Sequence, residues 1–152
     1  MLYDHLNSTP STGFAGSFIA GEDGVQHTTT FRFPSVWSEL EGSIHFGPVS
    51  KVLKSYRVPR ELTETAPVDW LAGASMMIRQ DVLDEIGLFD ETFFLYFEET
   101  DLCRRVQKAG HQGMFLADSV VTHLGSVSTG MKEWKRVPDY WFDSRWYYFA
   151  KN

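Results

Sequence analysis

At 152 residues the chain is long enough for one domain with a true hydrophobic core. A net charge of −6 removes the basic footprint that nucleic acid requires, so no nucleic-acid partner is expected. The single cysteine, Cys103, excludes an internal disulfide framework; no apolar run nears the ~20 residues that span a bilayer, and Met1-Leu2-Tyr3-Asp4-His5 lacks the regions of a signal peptide, so the expected location is a reducing cytosol.

Leu2, Tyr3 and Leu6 fit the end of a helix. Phe14 to Ala20 reads as a short buried strand. Gly21-Glu22-Asp23-Gly24 is a turn, because Asp-Gly supplies the positive φ of a tight reversal. Gln26 to Phe33 alternates weakly and is expected to return as the second strand of a hairpin. Pro34-Ser35 opens a helix with Val36, Trp37 and Leu40 on one face. From Glu41 to Thr65 the pattern is irregular and broken by Gly42, Gly47, Pro48 and Pro59, as in a substrate-facing loop or a plain surface excursion. Val68 to Ile78 is strongly apolar and predicts one buried strand. Gly73-Ala74 in its middle points either to a close approach of backbone or ligand or to simple packing of small residues. Arg79 to Ile86 has helical spacing, and Gly87 stops it.

The stretch that follows dominates the chain. In Phe93-Phe94-Leu95-Tyr96-Phe97-Glu98-Glu99-Thr100-Asp101, four aromatic rings run into three carboxylates. Aromatic surroundings desolvate carboxylates and raise their pKa values, and mutual repulsion raises at least one further. Such a group is a candidate general base or metal ligand. An equally economical reading is that the acids sit where a helix dipole favours negative charge. The helix itself is expected from about Thr100 to Ala109, with Leu102, Val106 and Ala109 on its apolar face and Gly110 as its stop. Asp101 can pair with Arg104 or Arg105 one turn on, which gives it a structural share. Met114–Leu116 and Val120–Thr122 read as two strand pieces around Ala117-Asp118-Ser119. His123 ends the second piece and is followed by a Gly/Ser/Thr loop, a placement suited to a metal or a phosphate oxygen. Residues 131–152 form an aromatic-rich C-terminal segment in which Asp139 or Asp143 can cap a helix. Without a basic face, the segment is expected to pack on the core rather than on an anionic membrane.

Taken in order, Val68-Asp69-Trp70-Leu71-Ala72-Gly73-Ala74, Gly87-Leu88-Phe89-Asp90-Glu91, the stretch from Phe93 to Arg105, Ala109-Gly110 and His123-Leu124-Gly125-Ser126-Val127-Ser128-Thr129 resemble the C-terminal half of the catalytic domain of family 2 inverting glycosyltransferases, especially the rhamnosyltransferase-like branch. The resemblance is dense from about residue 67 to 130. It implies an α/β fold: part of a GT-A domain with a mixed sheet, without the N-terminal Rossmann-like half that binds nucleotide and carries an Asp-x-Asp metal motif. On that expectation residues 1–152 are the acceptor and catalytic-base part of the domain, a fragment inactive alone. Carried over residue by residue, the family's catalytic acidic pair falls on Glu98-Glu99, with Glu99 as the base. Asp101 matches a frequent acidic position of the same site. His123 matches a histidine that completes a divalent cation site, for Mn²⁺ or Mg²⁺. Ser126, Ser128 and Thr129 fall near the donor diphosphate, and Asp69, Trp70, Gly73 and Ala74 in the sugar and acceptor cleft.

The implied partners are a UDP- or dTDP-linked sugar donor and a glycan or lipid-linked acceptor, in polysaccharide biosynthesis at the inner face of the membrane. Two rivals remain open at this level. One is a non-catalytic acceptor-binding module that self-associates into a homo-oligomer through bare apolar surface. The other is a metal-dependent hydrolase using Glu98, Glu99 and His123, which leaves the Trp-Leu-Ala-Gly and Gly-Leu-Phe-Asp-Glu blocks unexplained.

Overall fold

The chain's structure, a computed structural model, describes residues 1–43, 53–124 and 135–152. It is built around β1 (Thr12–Ala20), which is buried along nearly its whole length. That is the pattern of a central strand covered on both faces, not the alternation of a half-wet one. Helix α1 (Leu2–Ser8) leads into it. β1 pairs in parallel with β7 (Gln112–Thr122) and antiparallel with β6 (Met76–Ile78), and β4 (Ala66–Val68) adds antiparallel to the far side of β7. The resulting order, β4-β7-β1-β6, is a mixed sheet. The α/β class and mixed sheet are therefore as expected, and they fit a portion of a GT-A-like domain.

A second, smaller antiparallel sheet has the order β3-β2-β5, from Pro59–Arg60, Thr30–Phe31 and Trp70–Leu71. Two further helices, α2 (Val36–Ser43) and α3 (Gln80–Ile86), lie on the periphery. α4 (Glu98–Lys108) packs across the sheets and lays the fully buried Leu102, Cys103 and Val106 onto them. Cys103 and Val106 join Phe14, Val68, Leu71, Val82 and Phe115 in the core, where each large apolar side chain contributes roughly 1.5–3 kcal/mol. Gly87 and Gly110 end α3 and α4 at φ of +83° and +93°, as their positions in the sequence require.

Four local expectations change. The Asp23-Gly24 turn forms, but the return strand of a hairpin does not: a lone bridge joins Ala20 to Gln26, and Thr30–Phe31 pairs in the other sheet. β7 runs along one edge of β1 and β6 pairs with Phe14–Gly16 on the other, where the returning chain meets β1 only through the His27 N–H to the Ile19 carbonyl and the Ala20–Gln26 bridge. The apolar run from Val68 to Ile78 is not one strand. It passes from β4 to β5, turns through a 3₁₀ segment at Gly73–Ser75, and re-enters the first sheet as β6. Asp69 fixes the first crossing by accepting the Phe33 N–H at 3.0 Å. Gly16 permits the second, since a Cβ there would lie 2.6 Å from Leu71 Cδ1 and 2.8 Å from the Ser75 carbonyl oxygen.

α2 forms, yet Val36, Trp37 and Leu40 stay exposed, while Ser38, bonded to Ser35, is its buried residue. The two strand pieces at 114–122 join into β7, whose register against β1 slips between Leu116 and Val120. Ser119 Oγ lies 2.9 Å from Ser17 Oγ beside this bulge.

Candidate active site

The last long helix, α5 (Asp139–Lys151), runs against the stretch from Phe93 to Arg105. The residues between Phe93 and α4 make a tight turn in which Tyr96 and Phe97 both sit at φ +69°. Left-handed backbone is costly for bulky residues, about 1–3 kcal/mol each. Ring packing offsets that cost: Tyr96 stacks on Tyr140 at 6.4 Å, and Phe97 meets Trp141 at 5.7 Å and Tyr148 at 5.6 Å. The turn delivers the chain into α4 with Glu98 and Glu99 as its first two residues.

Glu99 lines a cavity of about 360 Å³ with Phe31, Trp70, Tyr96, Trp141 and Arg145 around it. Burial, and next the adjacent Glu98 carboxylate, push the Glu99 pKa up to about 7; its hydrogen bond from the Gly73 backbone N–H works the other way. Oε2 of Glu98 and Oε2 of Glu99 are both buried without a hydrogen-bond partner among the described residues. A buried, unsatisfied carboxylate oxygen is expensive, and a substrate hydroxyl would satisfy it. Glu98 itself is not part of the cavity wall.

The other expected site residues separate into groups. Trp70 stands in the cavity wall, held by ring stacking on Phe31 at 4.2 Å and by its indole N–H donating to the Arg32 carbonyl at 2.9 Å. Gly73 reaches the site through its N–H to Glu99, and Ala74 is exposed in the same 3₁₀ turn. Asp69 lies outside the Glu99 cavity, with its carboxylate on Phe33, and lines a separate cavity with Arg60 and Gln107. Asp101 is fully buried and accepts from Arg105 Nε at 2.9 Å, Lys151 Nζ at 2.9 Å and Asn152 Nδ2 at 3.2 Å. Burial alone would raise its pKa, but the bonds from Lys151, Arg105 and Asn152 hold it below the usual carboxylate range. Asp101 thus ties α4 to α5, in line with its expected structural share. Ser126, Ser128 and Thr129 lie outside the described residues.

His123 is exposed at the end of β7, where its backbone N–H donates to the Ala20 carbonyl at 2.9 Å. Its ring meets His27 edge-on at 6.4 Å. Among the described residues no group of three or more His, Cys, Asp or Glu could hold a metal ion. His123 therefore belongs to no such group among the described residues. Cys103 is fully buried in the core, and burial pushes its thiol up to about 12.

The sequence reading missed two wall residues, Glu39 and Arg145. They form an ion pair between α2 and α5, with the Arg145 guanidinium also 5.7 Å from the Trp141 ring centroid and 5.6 Å from that of Phe149. The signal was present: Trp141, Arg145 and Phe149 recur every four residues and so share one helix face. α5 is fixed by Ser144 Oγ to the Leu95 carbonyl at 3.0 Å, Tyr147 Oη to Asp90 at 3.0 Å and Lys151 Nζ to Asp90 at 2.8 Å.

Comparison with known proteins gives consistent matches. The family model described as "Glycosyltransferase like family 2" matches residues 56–147. The chain is 31% identical over 134 residues to an N-acetylglucosaminyl-diphospho-decaprenol L-rhamnosyltransferase of Mycobacterium tuberculosis, covering 85% of this chain and 43% of that protein. It is 36% identical over 55 residues to the rhamnosyltransferase WbbL of Escherichia coli, covering 36% of this chain and 21% of that protein. A low-salt glycan biosynthesis hexosyltransferase, Agl10 of Haloferax volcanii, is 43% identical over 42 residues, covering 28% of this chain and 14% of that protein. The chain thus matches less than half the length of each of these relatives.

Proposed function

The chain belongs to glycosyltransferase family 2, and on that premise we propose that it carries the acceptor and catalytic-base side of an inverting sugar transfer from a UDP- or dTDP-linked donor. The observation that carries this reading is Glu99, a carboxyl in an aromatic cavity with its pKa pushed up to about 7. A general base works best when its pKa lies near the working pH, because a useful fraction is then ionised while the group still attracts a proton.

Glu99 takes the proton of an acceptor hydroxyl seated in the cavity. As it does so, the acceptor oxygen bonds to the anomeric carbon, and the bond from that carbon to the donor diphosphate breaks. The two events occur on opposite faces of the sugar, so the configuration inverts and no covalent enzyme intermediate is needed. Trp70 and Trp141 offer aromatic faces for sugar rings. The Glu98 carboxylate acts on Glu99 by repulsion, keeping its proton affinity high. Asp101 is a positioning residue that holds α4 and α5 together around the cavity.

When bound, a divalent cation would neutralise charge building on the departing diphosphate, and His123 is the residue of the described chain that would help hold it. The Mycobacterium relative's name specifies a lipid-diphosphate acceptor. We extend that acceptor class to this chain, which places the protein at a membrane surface in glycan assembly. No helix among the described residues is long and apolar enough to cross a membrane.

The test is sugar transfer by the protein carrying this chain. Glu99→Gln is expected to lower kcat at least about a hundredfold while donor binding persists. Glu98→Gln is expected to retain turnover but to shift the pH profile to lower pH, since the repulsion that raises Glu99 is removed. Near-normal turnover by Glu99→Gln removes Glu99 as the base.

A further inference from the structure

Beside the Glu99 cavity lies a second, mostly apolar groove of about 600 Å³ between α2 and α5. Val36, Phe142, Trp146 and Phe149 supply its apolar lining, with Asp143 among them. Val36 and Trp146 are 76% and 77% exposed, so ring and methyl surface that normally drives burial stands open to water. The same helix faces stay uncovered even though α5 is fixed to the core through Ser144, Tyr147 and Lys151. The groove and the Glu99 cavity share two lining residues, Glu39 and Arg145, which form an ion pair with each other.

The order of the parts is specific: a candidate base in an aromatic cavity, one guanidinium on the wall of both cavity and groove, and an exposed hydrocarbon surface. A lipid-linked sugar acceptor has the same order of parts: a sugar hydroxyl, a diphosphate, and an isoprenoid chain. We propose that the groove between α2 and α5 holds the first isoprenoid units of a lipid-diphosphate acceptor, with Arg145 taking the diphosphate. The proposal rests on the sugar-transfer reading above and adds the subsite that selects its acceptor.

Arg145 is paired with Glu39. A diphosphate carries more charge than one carboxylate and offers guanidinium a bidentate partner, so it displaces Glu39 from the pair. The cation is already oriented, being stacked between Trp141 and Phe149. Asp143, on the groove wall, disfavours any anion beyond the junction and leaves Arg145 as the anchoring point.

The test uses the 152-residue chain and farnesyl diphosphate as probe, read by titration calorimetry, with inorganic diphosphate, farnesol and phosphatidylcholine vesicles as comparators. Saturable binding of farnesyl diphosphate, at least tenfold tighter than inorganic diphosphate or farnesol, is expected. Trp146→Ser and Phe142→Ser, both at exposed positions, are each expected to weaken it severalfold and together at least tenfold. Arg145→Gln is expected to abolish the preference for farnesyl diphosphate over farnesol.

Circular dichroism of each variant verifies the fold. Farnesyl diphosphate binding no tighter than inorganic diphosphate, or unmoved by the paired serine substitutions, overturns the proposal. Equal binding to plain phosphatidylcholine vesicles also overturns it and makes the face a membrane-contact surface. None of these readouts uses turnover, so the groove can fail while Glu99 stands as the base, and Glu99→Gln kinetics can fail while the groove stands.

Discussion

Replacing Glu99 by Gln should stabilise the protein in alkali and leave it unchanged in acid. Glu99 has its carboxyl raised from 4.5 to about 7 by burial and by the Glu98 carboxylate. The fold therefore prefers the protonated form. That preference is fully realised below the unfolded-state value near 4.5 and is lost as pH rises through about 7, where ionisation proceeds against the fold. At pH 8.5 the wild-type chain bears the whole cost, and a neutral amide at position 99 removes it. The difference between 4.5 and about 7 corresponds to roughly 3 kcal/mol at most, and relaxation around a partly open cavity reduces it toward about 2 kcal/mol. For a chain of this length that is about 4–8 °C in Tm. Thermal melts by circular dichroism at pH 5.0 and pH 8.5 make the comparison. The expected result is a higher Tm for Glu99→Gln at pH 8.5 and a much smaller gain at pH 5.0, just above the unfolded-state value. A variant that melts no higher than wild type at pH 8.5, or that gains equally at both pH values, would refute the claim that the site stores its cost in an ionised Glu99.

Two further substitutions test the frame around the site. Asp101→Asn leaves Arg105 and Lys151 facing a neutral group in a buried setting, and urea unfolding should show a loss of about 3 kcal/mol. Because the folded-state pKa of Asp101 is lowered, its contribution is present above the unfolded value and lost as pH falls through the folded one, so the loss should shrink in strong acid. Gly113→Ala places a Cβ 2.0 Å from Phe14 Cζ at the centre of the core, and overpacking of this kind should cost about 3 kcal/mol in the same assay. A Gly113→Ala protein with wild-type stability would mean that the Phe14 ring can leave β7 freely.

The parts legible in the sequence were those set by local chemistry. The turn at Asp23-Gly24, the stops at Gly87 and Gly110, and the apolar face of α4 all follow from short-range rules, and all are present. The raised Glu99 was also legible, because the rings that desolvate it include its own neighbours Tyr96 and Phe97. What local pattern could not show was partner choice. The threonine-rich segment after Gln26 looks like a hairpin strand, but which edge it meets depends on β6 and β7, far away in sequence. The run from Val68 to Ile78 has the composition of one strand, and its division between two sheets depends on Asp69 reaching Phe33 and on the space left by Gly16. Arg145 escaped notice for a related reason. Its face on α5 follows from the spacing of Trp141, Arg145 and Phe149, but its partner Glu39 comes from α2, far away in sequence.

The clamp between α4 and α5 has a consequence for how the protein is made. Its ties, Ser144 to Leu95 and Lys151 to Asp101, close loops of 49 and 50 residues. Ribosomal synthesis delivers α4 well before α5, so a nascent chain carries the acidic pair without the Trp141 and Arg145 wall. In that interval Glu99 lacks part of the wall that buries it, and the left-handed Tyr96-Phe97 turn lacks the α5 rings that pack on it. Docking of α5 then supplies the rings that pack on this turn and the Trp141 and Arg145 wall of the cavity. The rings of Phe93, Tyr96 and Phe97 lack their α5 partners until then, which makes this interval the one in which the chain is most exposed to aggregation.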